Sequence, residues 1–328
     1  MTPLLTIEDV VVDYRLRRRT DFRALKGVSL EIGPGECVGL VGESGSGKST
    51  LGKAVLGLAA VKSGRITFDG QDITHARGAA RRRLASDIQV VFQDPYGSLD
   101  PTMTVGEILA EPLLTRPSMQ AAPTHSESAD ENAAPTHFGS TETKAAPTLS
   151  GGRPQGQSIG GGGGKVGLSW GNPRERAVRS EFTRRGASKA VVAAMLDRVR
   201  LPSDAIHRYP SEFSGGQRQR IAIARALVRR PRLIVCDELV SALDLTTQAT
   251  ILDLFIELQR ETGVSYLFVS HDLGVVRRVC HRVSVMRQGE IVESGFGGPY
   301  AQRMLFASPV ANPVRQAERR ATWLGLRG

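Results

Sequence analysis

The interpretation of this sequence depends on one stretch, Gly42-Glu43-Ser44-Gly45-Ser46-Gly47-Lys48-Ser49-Thr50. The stretch, here called the phosphate loop, satisfies the pattern Gly-x-x-x-x-Gly-Lys-Ser/Thr. An apolar run at residues 37–41 precedes the loop and predicts a strand, and the residues that follow predict a helix from 47 to about 60. Between a strand and a helix, backbone N–H groups and the helix N-terminus can surround a phosphate group.

The residue types in the phosphate loop predict binding of a nucleoside triphosphate. Glycines let the backbone close around the β-phosphate, Lys48 reaches the β- and γ-oxygens, and the Ser49 hydroxyl ligates Mg²⁺. The alternative is a tight glycine-rich turn with no ligand. The predicted strand and helix on either side argue against that alternative.

A second candidate site follows the apolar run at residues 233–236, which predicts a strand that ends in Asp237 and Glu238. Open α/β sheets bind their ligands at the carboxyl ends of the strands. Asp237 is suited to hold Mg²⁺, and Glu238 is suited to orient or deprotonate an attacking water. A strand that ends in two carboxylates often enters a solvated loop, so the functional interpretation depends on the phosphate loop.

A third candidate site is a Ser-Gly-Gly turn at the start of a predicted helix, Phe213-Ser214-Gly215-Gly216-Gln217. Such a turn presents backbone N–H groups to an anion. Because the phosphate loop already supplies one anion site, we expect this turn to make a second contact to nucleotide.

Patterning along the chain predicts an α/β fold. Runs at residues 4–14, 24–32 and 65–68 predict strands, and from residue 188 onward helices at 188–199, 217–228, 248–260 and 273–280 alternate with strands at 233–236 and 266–269. A hairpin at 283–292 turns at Gln288-Gly289. Alternation of strands with helices is typical of a largely parallel sheet.

The segment from about 116 to 186 differs in composition from the rest of the chain. It holds three copies of Ala-Ala-Pro-Thr, which start at 121, 133 and 145, and five consecutive glycines at 160–164. Such a segment cannot bury enough apolar surface to offset the entropy of ordering it. We therefore predict a disordered insertion.

Composition excludes several classes of protein. The chain has 328 residues, of which 40% are hydrophobic, and this excludes a wholly disordered or collagenous chain. Its apolar runs reach only about eight residues, whereas a membrane-spanning helix needs roughly 18 to 20, and no secretory signal begins the sequence. Cys37, Cys236 and Cys280 are odd in number and are interpreted as reduced core thiols. The net charge of +10 suits an anionic partner without identifying one. The run Arg81-Arg82-Arg83 is interpreted as a solvated turn, with contact to lipid headgroups as the alternative.

With these motifs assembled, the sequence resembles the ATP-binding subunits of ABC transporters outside the insertion. Residues 213–217 match the signature motif, with Phe213 in place of the commoner leucine, and Gln93 matches the Q-loop. Residues 241–244 match the D-loop, and His271 matches the switch histidine. The sequences of residues 92–101 and 209–213 are similar to those of the oligopeptide, dipeptide and nickel importer branch. Leu239 stands where that branch usually has proline.

The resemblance implies a P-loop NTPase of the ABC ATPase type, with a RecA-like core, an antiparallel β subdomain and a helical signature subdomain. Residues 1–298 would form the ATP-binding domain, with the helical subdomain at about 94–230, and residues 299–328 a short C-terminal tail. The insertion would fall inside the helical subdomain.

The resemblance also assigns roles to site residues, with ATP and Mg²⁺ as the bound groups. It implies catalytic roles for Glu238, His271 and Gln93, and Mg²⁺ contacts for Ser49, Gln93 and Asp237. Nucleotide contacts would come from two sets of residues, namely the phosphate loop with Gly42, Glu43, Ser44, Gly45, Ser46, Gly47, Lys48, Ser49 and Thr50, and, toward a partner's nucleotide, Ser214, Gly215, Gly216, Gln217 and Asp244. Tyr14 fits the aromatic residue that stacks on adenine, and Phe22 is a rival for that role.

The implied partners are two transmembrane permease subunits and a second, homologous or identical, ATP-binding subunit in a head-to-tail dimer. An extracytoplasmic solute-binding protein would act indirectly, the chain would lie peripherally on the cytoplasmic face of the cell membrane, and no nucleic-acid partner is expected. The alternative is a soluble ABC-type ATPase that acts on nucleic acid or ribosomes, which the positive charge would suit. The sequence has neither the zinc-binding cysteines or coiled coils of DNA-repair relatives nor two ATPase units.

Overall fold

Two β-sheets organise the part of the chain that the structure describes. The computed structural model describes residues 2–15, 22–114 and 186–307, which belong to one compact unit. The first sheet is antiparallel with the order β2-β1-β4-β5. Its strands are β1 (Leu5–Tyr14), β2 (Phe22–Ile32), β4 (Ser63–Phe68) and β5 (Gln71–Asp72).

The second sheet has six strands, and five of them are parallel, which confirms the predicted largely parallel sheet. In sheet order they are β10 (Glu290–Ser294), β9 (Arg282–Arg287), β3 (Cys37–Gly42), β8 (Ser265–Ser270), β7 (Leu233–Asp237) and β6 (Ile88–Val91). β10 is antiparallel to β9, so these two strands form the predicted hairpin.

Nine α-helices lie in the described part of the chain. They are α1 (Lys48–Val55), α2 (Gly78–Leu84), α3 (Pro95–Ser98), α4 (Val105–Leu114), α5 (Gly186–Arg198), α6 (Gly215–Leu227), α7 (Leu245–Thr262), α8 (Leu273–Val279) and α9 (Pro299–Ala307). Two short 3₁₀ helices lie at Ser203–His207 and Pro210–Glu212. α4 packs against α5 and α6, and α3 packs against α6.

Both faces of the six-stranded sheet are covered. Side chains alternate along each strand, so neighbouring residues pack into different cores. In β8, Tyr266 and Phe268 face the core that contains α7 and α8, whereas Leu267 and Val269 face the core shared with α1 and the antiparallel sheet. All six residues of β3 are buried, and so are all six of β8. The apolar run before the phosphate loop is therefore a central strand, which holds the loop rigidly.

Two predictions about local structure are wrong. α1 ends at Val55 and not near residue 60, because Gly57 adopts a left-handed conformation with φ of 69° and ends the helix there. The run Arg81-Arg82-Arg83, interpreted from sequence as a solvated turn, lies in α2. The Arg81 guanidinium donates to the carbonyl oxygen of Val55 at 2.7 Å, so α2 is tied to the end of α1.

Two further predictions concern the insertion and the C-terminal tail. The predicted insertion falls almost entirely on residues 115–185, which lie outside the described residues. The predicted tail begins as helix α9, whose Ala301 is fully buried in the core that contains α8. None of the helices within 2–15, 22–114 and 186–307 has the length and apolar character that crossing a membrane requires.

Candidate functional site

Four of the predicted site elements, namely the phosphate loop, Gln93, the Asp237-Glu238 pair and His271, lie at one edge of the six-stranded sheet. The parallel strands β3, β8, β7 and β6 are neighbours in that order, so their carboxyl ends lie side by side. The phosphate loop follows β3, and three single residues, His271, Glu238 and Gln93, follow β8, β7 and β6. This edge is where open α/β sheets bind their ligands.

The phosphate loop needs glycine where other backbone approaches it. A Cβ atom at Gly42 would lie 2.1 Å from the carbonyl oxygen of Met286, which is too close for any side chain. Gly47 has φ of 108° and caps α1, a conformation that residues with a side chain rarely adopt. The Gly289 N–H donates to the Ser46 carbonyl oxygen at 2.9 Å, so the β9–β10 hairpin supports the loop from one side.

Lys48 is held inside the phosphate loop. Its ammonium donates to the carbonyl oxygens of Gly42 at 2.9 Å and Glu43 at 2.8 Å, and the residue is only 5% exposed. Burial lowers the pKa of Lys48, and the carboxylates of Glu238 and Asp237 oppose that shift. A buried cation that faces a glycine-rich turn is suited to bind phosphate oxygens, because an anion offsets the cost of burying the charge.

Ser49 and Asp237 come together although they are far apart in sequence. The Ser49 hydroxyl donates to Oδ1 of Asp237 at 2.9 Å. Burial raises the pKa of Asp237, the Ser49 hydrogen bond lowers it, and the nearby Glu238 raises it. A cation at this carboxylate would relieve the cost of its burial.

This oxygen pair fits Mg²⁺, which is bound in proteins by one or two carboxylates together with substrate phosphates. Within the described part of the chain, no group of three or more His, Cys, Asp or Glu side chains is arranged to hold a metal by itself. The pair therefore resembles a Mg²⁺ site that a bound phosphate completes, and not a closed metal site built from protein alone.

Glu238 and His271 form the second contact at this edge. His271 Nδ1 lies 3.2 Å from Oε1 of Glu238, and the two side chains are 56% and 22% exposed. The Glu238 N–H donates to the Val269 carbonyl oxygen at 2.9 Å, so the backbone of β8 fixes the residue that follows β7. A half-buried carboxylate beside an imidazole, open to water, can accept a proton from a bound water molecule.

Leu239, which replaces the proline implied by the resemblance, packs into the hydrophobic core and is 2% exposed. The turn around Glu238 is held by hydrogen bonds to Val269 and from the Ser241 N–H, which donates to the Glu238 carbonyl oxygen at 3.2 Å. Leucine thus anchors this turn by apolar burial.

The predicted second nucleotide contact forms a helix cap of its own. The Ser214 hydroxyl accepts from the Gln217 N–H, and the Gln217 side chain accepts from the Ser214 N–H at 2.9 Å, a capping box that begins α6. Asp244 caps α7 in the same way, because its carboxylate accepts from the N–H groups of Thr246 at 3.1 Å and Thr247 at 3.0 Å. These hydrogen bonds, with Thr247 first, lower the pKa of Asp244.

Gly216 brings the two capped helices together. A Cβ atom at Gly216 would lie 2.3 Å from Cγ2 of Thr247, whereas one at Gly215 would find only Leu243 at 3.8 Å. In the described residues no hydrogen bond or ion pair joins the Ser214 cap to Lys48, Ser49, Asp237 or Glu238. The Ser214 cap and the Asp244 cap thus form one packed unit, through the close approach of Gly216 to Thr247.

We expect Gly216→Ala to lower the free energy of unfolding by about 1 to 3 kcal/mol, because the added methyl overpacks a contact with the stiff, β-branched Thr247. Urea unfolding measures this loss. The matched control is Gly215→Ala, which has room for its methyl and should be neutral or slightly stabilising in the first turn of α6. Equal effects of the two substitutions would contradict the close packing at Gly216.

The structure gives the positions of Gln93, Tyr14 and Phe22, but no contact in it tests their predicted roles. Gln93 is exposed just beyond β6, and among the described residues no hydrogen bond joins it to Ser49 or Asp237. Tyr14 and Phe22 are cross-strand partners at the ends of β1 and β2, with exposures of 38% and 52%. Both aromatic rings stand at the same sheet end, so adenine stacking by either one stays a prediction.

Sequence reasoning missed the support that surrounds the site. The sequence predicts the β9–β10 hairpin but gives it no role at the site, whereas in the structure Met286 and Gly289 both contact the phosphate loop. Asp272 was not singled out, yet its carboxylate caps α8 and its N–H donates to the Ser270 hydroxyl at 3.0 Å beside His271. An aspartate just before a helical run is a recognisable N-cap signal in the sequence. The contact between the hairpin and the phosphate loop joins distant residues and has no such signal in the sequence.

Comparison with known proteins finds one family that the chain matches. The family described as ABC transporter matches residues 25–161 and 166–241. The chain is 38% identical, over 96% of its length, to the glutathione import ATP-binding protein GsiA of Pectobacterium atrosepticum, and covers 42% of that protein. It is 37% identical, over 97% of its length, to the protein of that name from Escherichia coli O157:H7, and covers 43% of it. The chain thus spans about two fifths of these curated relatives.

Solved structures show the same fold. CbiO1 of Clostridium perfringens, part of the ABC transporter complex cbiONQ, superposes with a TM-score of 0.60 at 24% identity, over 89% of this chain and 88% of that one. A dimeric ATP-binding cassette in a post-hydrolysis state, bound to ADP and Pi, superposes with a TM-score of 0.60 at 23% identity, over 90% and 99% of the two chains. The predicted fold class is therefore confirmed.

Proposed function

This chain belongs to the ABC transporter family, and on that premise we propose that it binds and hydrolyses ATP to power the import of a small solute through separate membrane-spanning subunits. The observation that carries the proposal is the set of contacts at one sheet edge. Lys48 is held in the phosphate loop, Ser49 donates to Asp237, and Glu238 lies beside His271.

Each contact supplies one part of ATP hydrolysis. The phosphate loop and the Lys48 ammonium bind the β- and γ-phosphates. The Ser49–Asp237 pair would hold Mg²⁺, which would neutralise charge on these phosphates. Glu238 orients a water molecule for attack on the γ-phosphorus and accepts its proton. The bond between the γ-phosphorus and the β,γ-bridging oxygen breaks, and ADP and phosphate are the products.

His271 and Gln93 complete the reaction centre in this proposal. His271 contacts Glu238 through Nδ1 at 3.2 Å and fixes the direction of the carboxylate. Gln93 follows the edge strand β6, from which its amide would reach the Mg²⁺ and the attacking water once nucleotide is bound. The Gln93 role depends on the family resemblance, because no hydrogen bond among the described residues joins this side chain to Ser49 or Asp237.

The signature turn acts on the nucleotide of a second ATP-binding subunit in this proposal. Ser214, Gly215 and Gly216 begin α6 with N–H groups that suit a γ-phosphate, and Asp244 lies in the same packed unit. A solved cassette of the same fold is a dimer. ATP would favour the closed pair because only that state makes both sets of contacts, and hydrolysis would release it.

The proposed solute is a peptide or a related small molecule. The relatives named for glutathione import suggest a substrate of that class, and nickel chelates remain an alternative within the branch that the sequence resembles. The transported molecule would be selected by two permease subunits and an extracytoplasmic binding protein. The chain would bind peripherally at the cytoplasmic face of the membrane.

Affinity purification of tagged Glu238→Gln protein from its native cells, in mild detergent with ATP, tests the partners. We expect polytopic permeases and a sister ATPase to co-purify, because a protein that binds but does not hydrolyse ATP stays in the closed complex. The untrapped protein without ATP is the control. Recovery of nucleic acid or ribosomal proteins without a membrane subunit would replace transport by the alternative function and leave the ATPase chemistry standing.

A further inference from the structure

Two of the three cysteines meet in the core between β3 and α8. Cys37 begins β3, and Cys280 follows the last residue of α8. The Cys37 thiol donates to Sγ of Cys280 at 3.3 Å, and both cysteines are free. The sequence predicts reduced core thiols, and the structure adds that these two, which lie 243 residues apart in the chain, form a pair.

The backbone holds the two cysteines close together. The Cys37 N–H donates to Nδ1 of His281 at 2.9 Å, and the His281 N–H donates to the Cys37 carbonyl oxygen at 2.9 Å. The residue that follows Cys280 is therefore fixed to Cys37 by two hydrogen bonds. α8 also packs directly on β3, because a Cβ atom at Gly39 would lie 2.2 Å from Cγ1 of Val276 and 3.2 Å from Sγ of Cys280.

The distance between the two sulfurs suits formation of a disulfide bond. The sulfurs of a disulfide lie about 2.05 Å apart, so the Cys37 and Cys280 sulfurs, now at 3.3 Å, need to approach by only about 1.3 Å. The third cysteine, Cys236, lies on β7, and β8 separates that strand from β3. Neighbouring strands are about 4.8 Å apart, so two strand spacings lie between Cys236 and Cys37.

The two thiols of the pair differ in their access to solvent. Cys37 is fully buried, whereas Cys280 is 9% exposed and adjoins the exposed His281. The hydrogen bond to Cys280, together with burial, raises the pKa of Cys37 well above its ordinary value, so Cys37 keeps its proton. A small oxidant that enters from the surface therefore reaches the Cys280 sulfur first.

We propose that Cys37 and Cys280 form an oxidisable dithiol, which hydrogen peroxide converts into an internal disulfide that ties α8 to β3. The Cys280 sulfur attacks one peroxide oxygen, the O–O bond breaks, and Cys280 becomes a sulfenic acid as one water leaves. The Cys37 sulfur then attacks the sulfenic sulfur, the S–O bond breaks, and the hydroxyl leaves with the Cys37 proton as a second water. The two thiols lose two electrons in total, which the peroxide takes up.

The second thiol is what makes this site different from a single buried cysteine. A cysteine buried by itself is normally unreactive. Here the sulfenic acid formed at Cys280 lies against the Cys37 thiol, so the oxidation ends at a disulfide that a reductant can reverse. In a reducing compartment such a disulfide forms transiently and reports exposure to an oxidant.

The disulfide would join two elements that flank the candidate site. β3 leads into the phosphate loop, and α8 begins just after His271 and Asp272. The bond would also close a loop of 243 residues, and closing a long loop restricts the unfolded chain strongly. We therefore expect the oxidised chain to be more stable than the reduced chain. This inference goes beyond the proposed function and does not depend on nucleotide binding.

Peptide mapping of the full chain tests the proposal. Reduced protein is treated with hydrogen peroxide, the remaining thiols are blocked with N-ethylmaleimide in urea, and tryptic peptides are identified without reductant. Because trypsin cuts after lysine and arginine, the expected cross-link joins residues 27–48 to residues 279–282, and Cys236 carries the blocking group in residues 233–260. Dithiothreitol should remove the cross-link.

The melting temperature measures the tie between α8 and β3. We expect oxidised wild-type protein to melt roughly 5 to 10 °C above reduced protein, with the difference lost after reduction. The matched control is Cys236→Ala, which removes a buried thiol and keeps the pair, so it should show both the cross-link and the shift. Cys280→Ala should show neither.

Four results would overturn the proposal. They are thiols at Cys37 and Cys280 that peroxide leaves unchanged, a sulfinic or sulfonic acid at Cys280 without a cross-link, a disulfide that includes Cys236 or joins two chains, and cross-linked wild-type protein that melts with the reduced protein. The wild-type peptide map decides the first three even if Cys280→Ala does not fold. A chain that binds no ATP but forms the cross-link would remove the proposed function and leave this inference standing.

Discussion

Glu238→Gln is expected to retain ATP binding and to lower kcat for ATP hydrolysis by about 10²- to 10⁴-fold. The amide keeps the size of the carboxylate and its position beside His271, but it cannot accept the proton of the attacking water. The phosphate loop and the Ser49–Asp237 pair are untouched, so the dissociation constant for ATP should change little. Steady-state phosphate release and equilibrium nucleotide binding measure the two effects separately.

The size of the protein in solution gives a second readout for Glu238→Gln. Because ATP is bound and not turned over, the closed pair should accumulate, and gel filtration with ATP should show a dimer that the wild type forms only transiently. The control is Glu261→Gln, the same chemical change at a residue that only faces Arg198 at 3.9 Å on the surface. Normal hydrolysis in Glu238→Gln would remove Glu238 from its assigned role.

Lys48→Ala is expected to weaken ATP binding by about a hundredfold or more, with hydrolysis lost as a consequence. The ammonium is nearly fully buried and aimed into the phosphate loop, so its interaction with the β- and γ-phosphates is poorly screened by water. Isothermal titration with MgATP measures the loss. Lys48→Ala should thus lose ATP binding, whereas Glu238→Gln should lose only turnover and keep binding.

The control for Lys48→Ala is Lys53→Ala, which removes an exposed lysine from the same helix α1. An exposed charge contributes little to a site beyond its own contacts, so affinity should stay within about twofold of the wild type. Equal losses in the two variants would show that binding depends on the net charge of the helix and not on the position of Lys48.

Much of the site was predictable because its motifs are local. The phosphate loop, the Asp237-Glu238 pair and the Ser214–Gln217 cap are each a few consecutive residues, and each sits where a strand or helix begins or ends. Local patterns of this kind fix residue types at fixed spacing, and strand-to-helix alternation fixes the sheet class. The family resemblance then added His271, Gln93 and Asp244. Each of these is a single residue, which by itself does not indicate a function.

The local errors also have local physical causes. Apolar residues continue past Val55, so periodicity alone extends α1 too far, and the left-handed Gly57 stops it. Three consecutive arginines suggest a solvated turn, yet Arg81 can use its long side chain to reach the Val55 carbonyl oxygen while its helix packs at the surface. The Arg81 contact joins two helices and so lies outside any single window of sequence, whereas the stop at Gly57 is a property of the local chain.

The sequence by itself determined that this chain folds as a parallel α/β sheet with a phosphate loop, because side-chain periodicity and the glycine spacing are properties of consecutive residues. Only the tertiary structure decided which distant groups meet. Ser49 joins Asp237 across 188 residues, and the β9–β10 hairpin supports Ser46 through the Gly289 N–H. Such contacts depend on the order of the strands in the sheet, and that order cannot be read from the hydrophobic periodicity of the sequence.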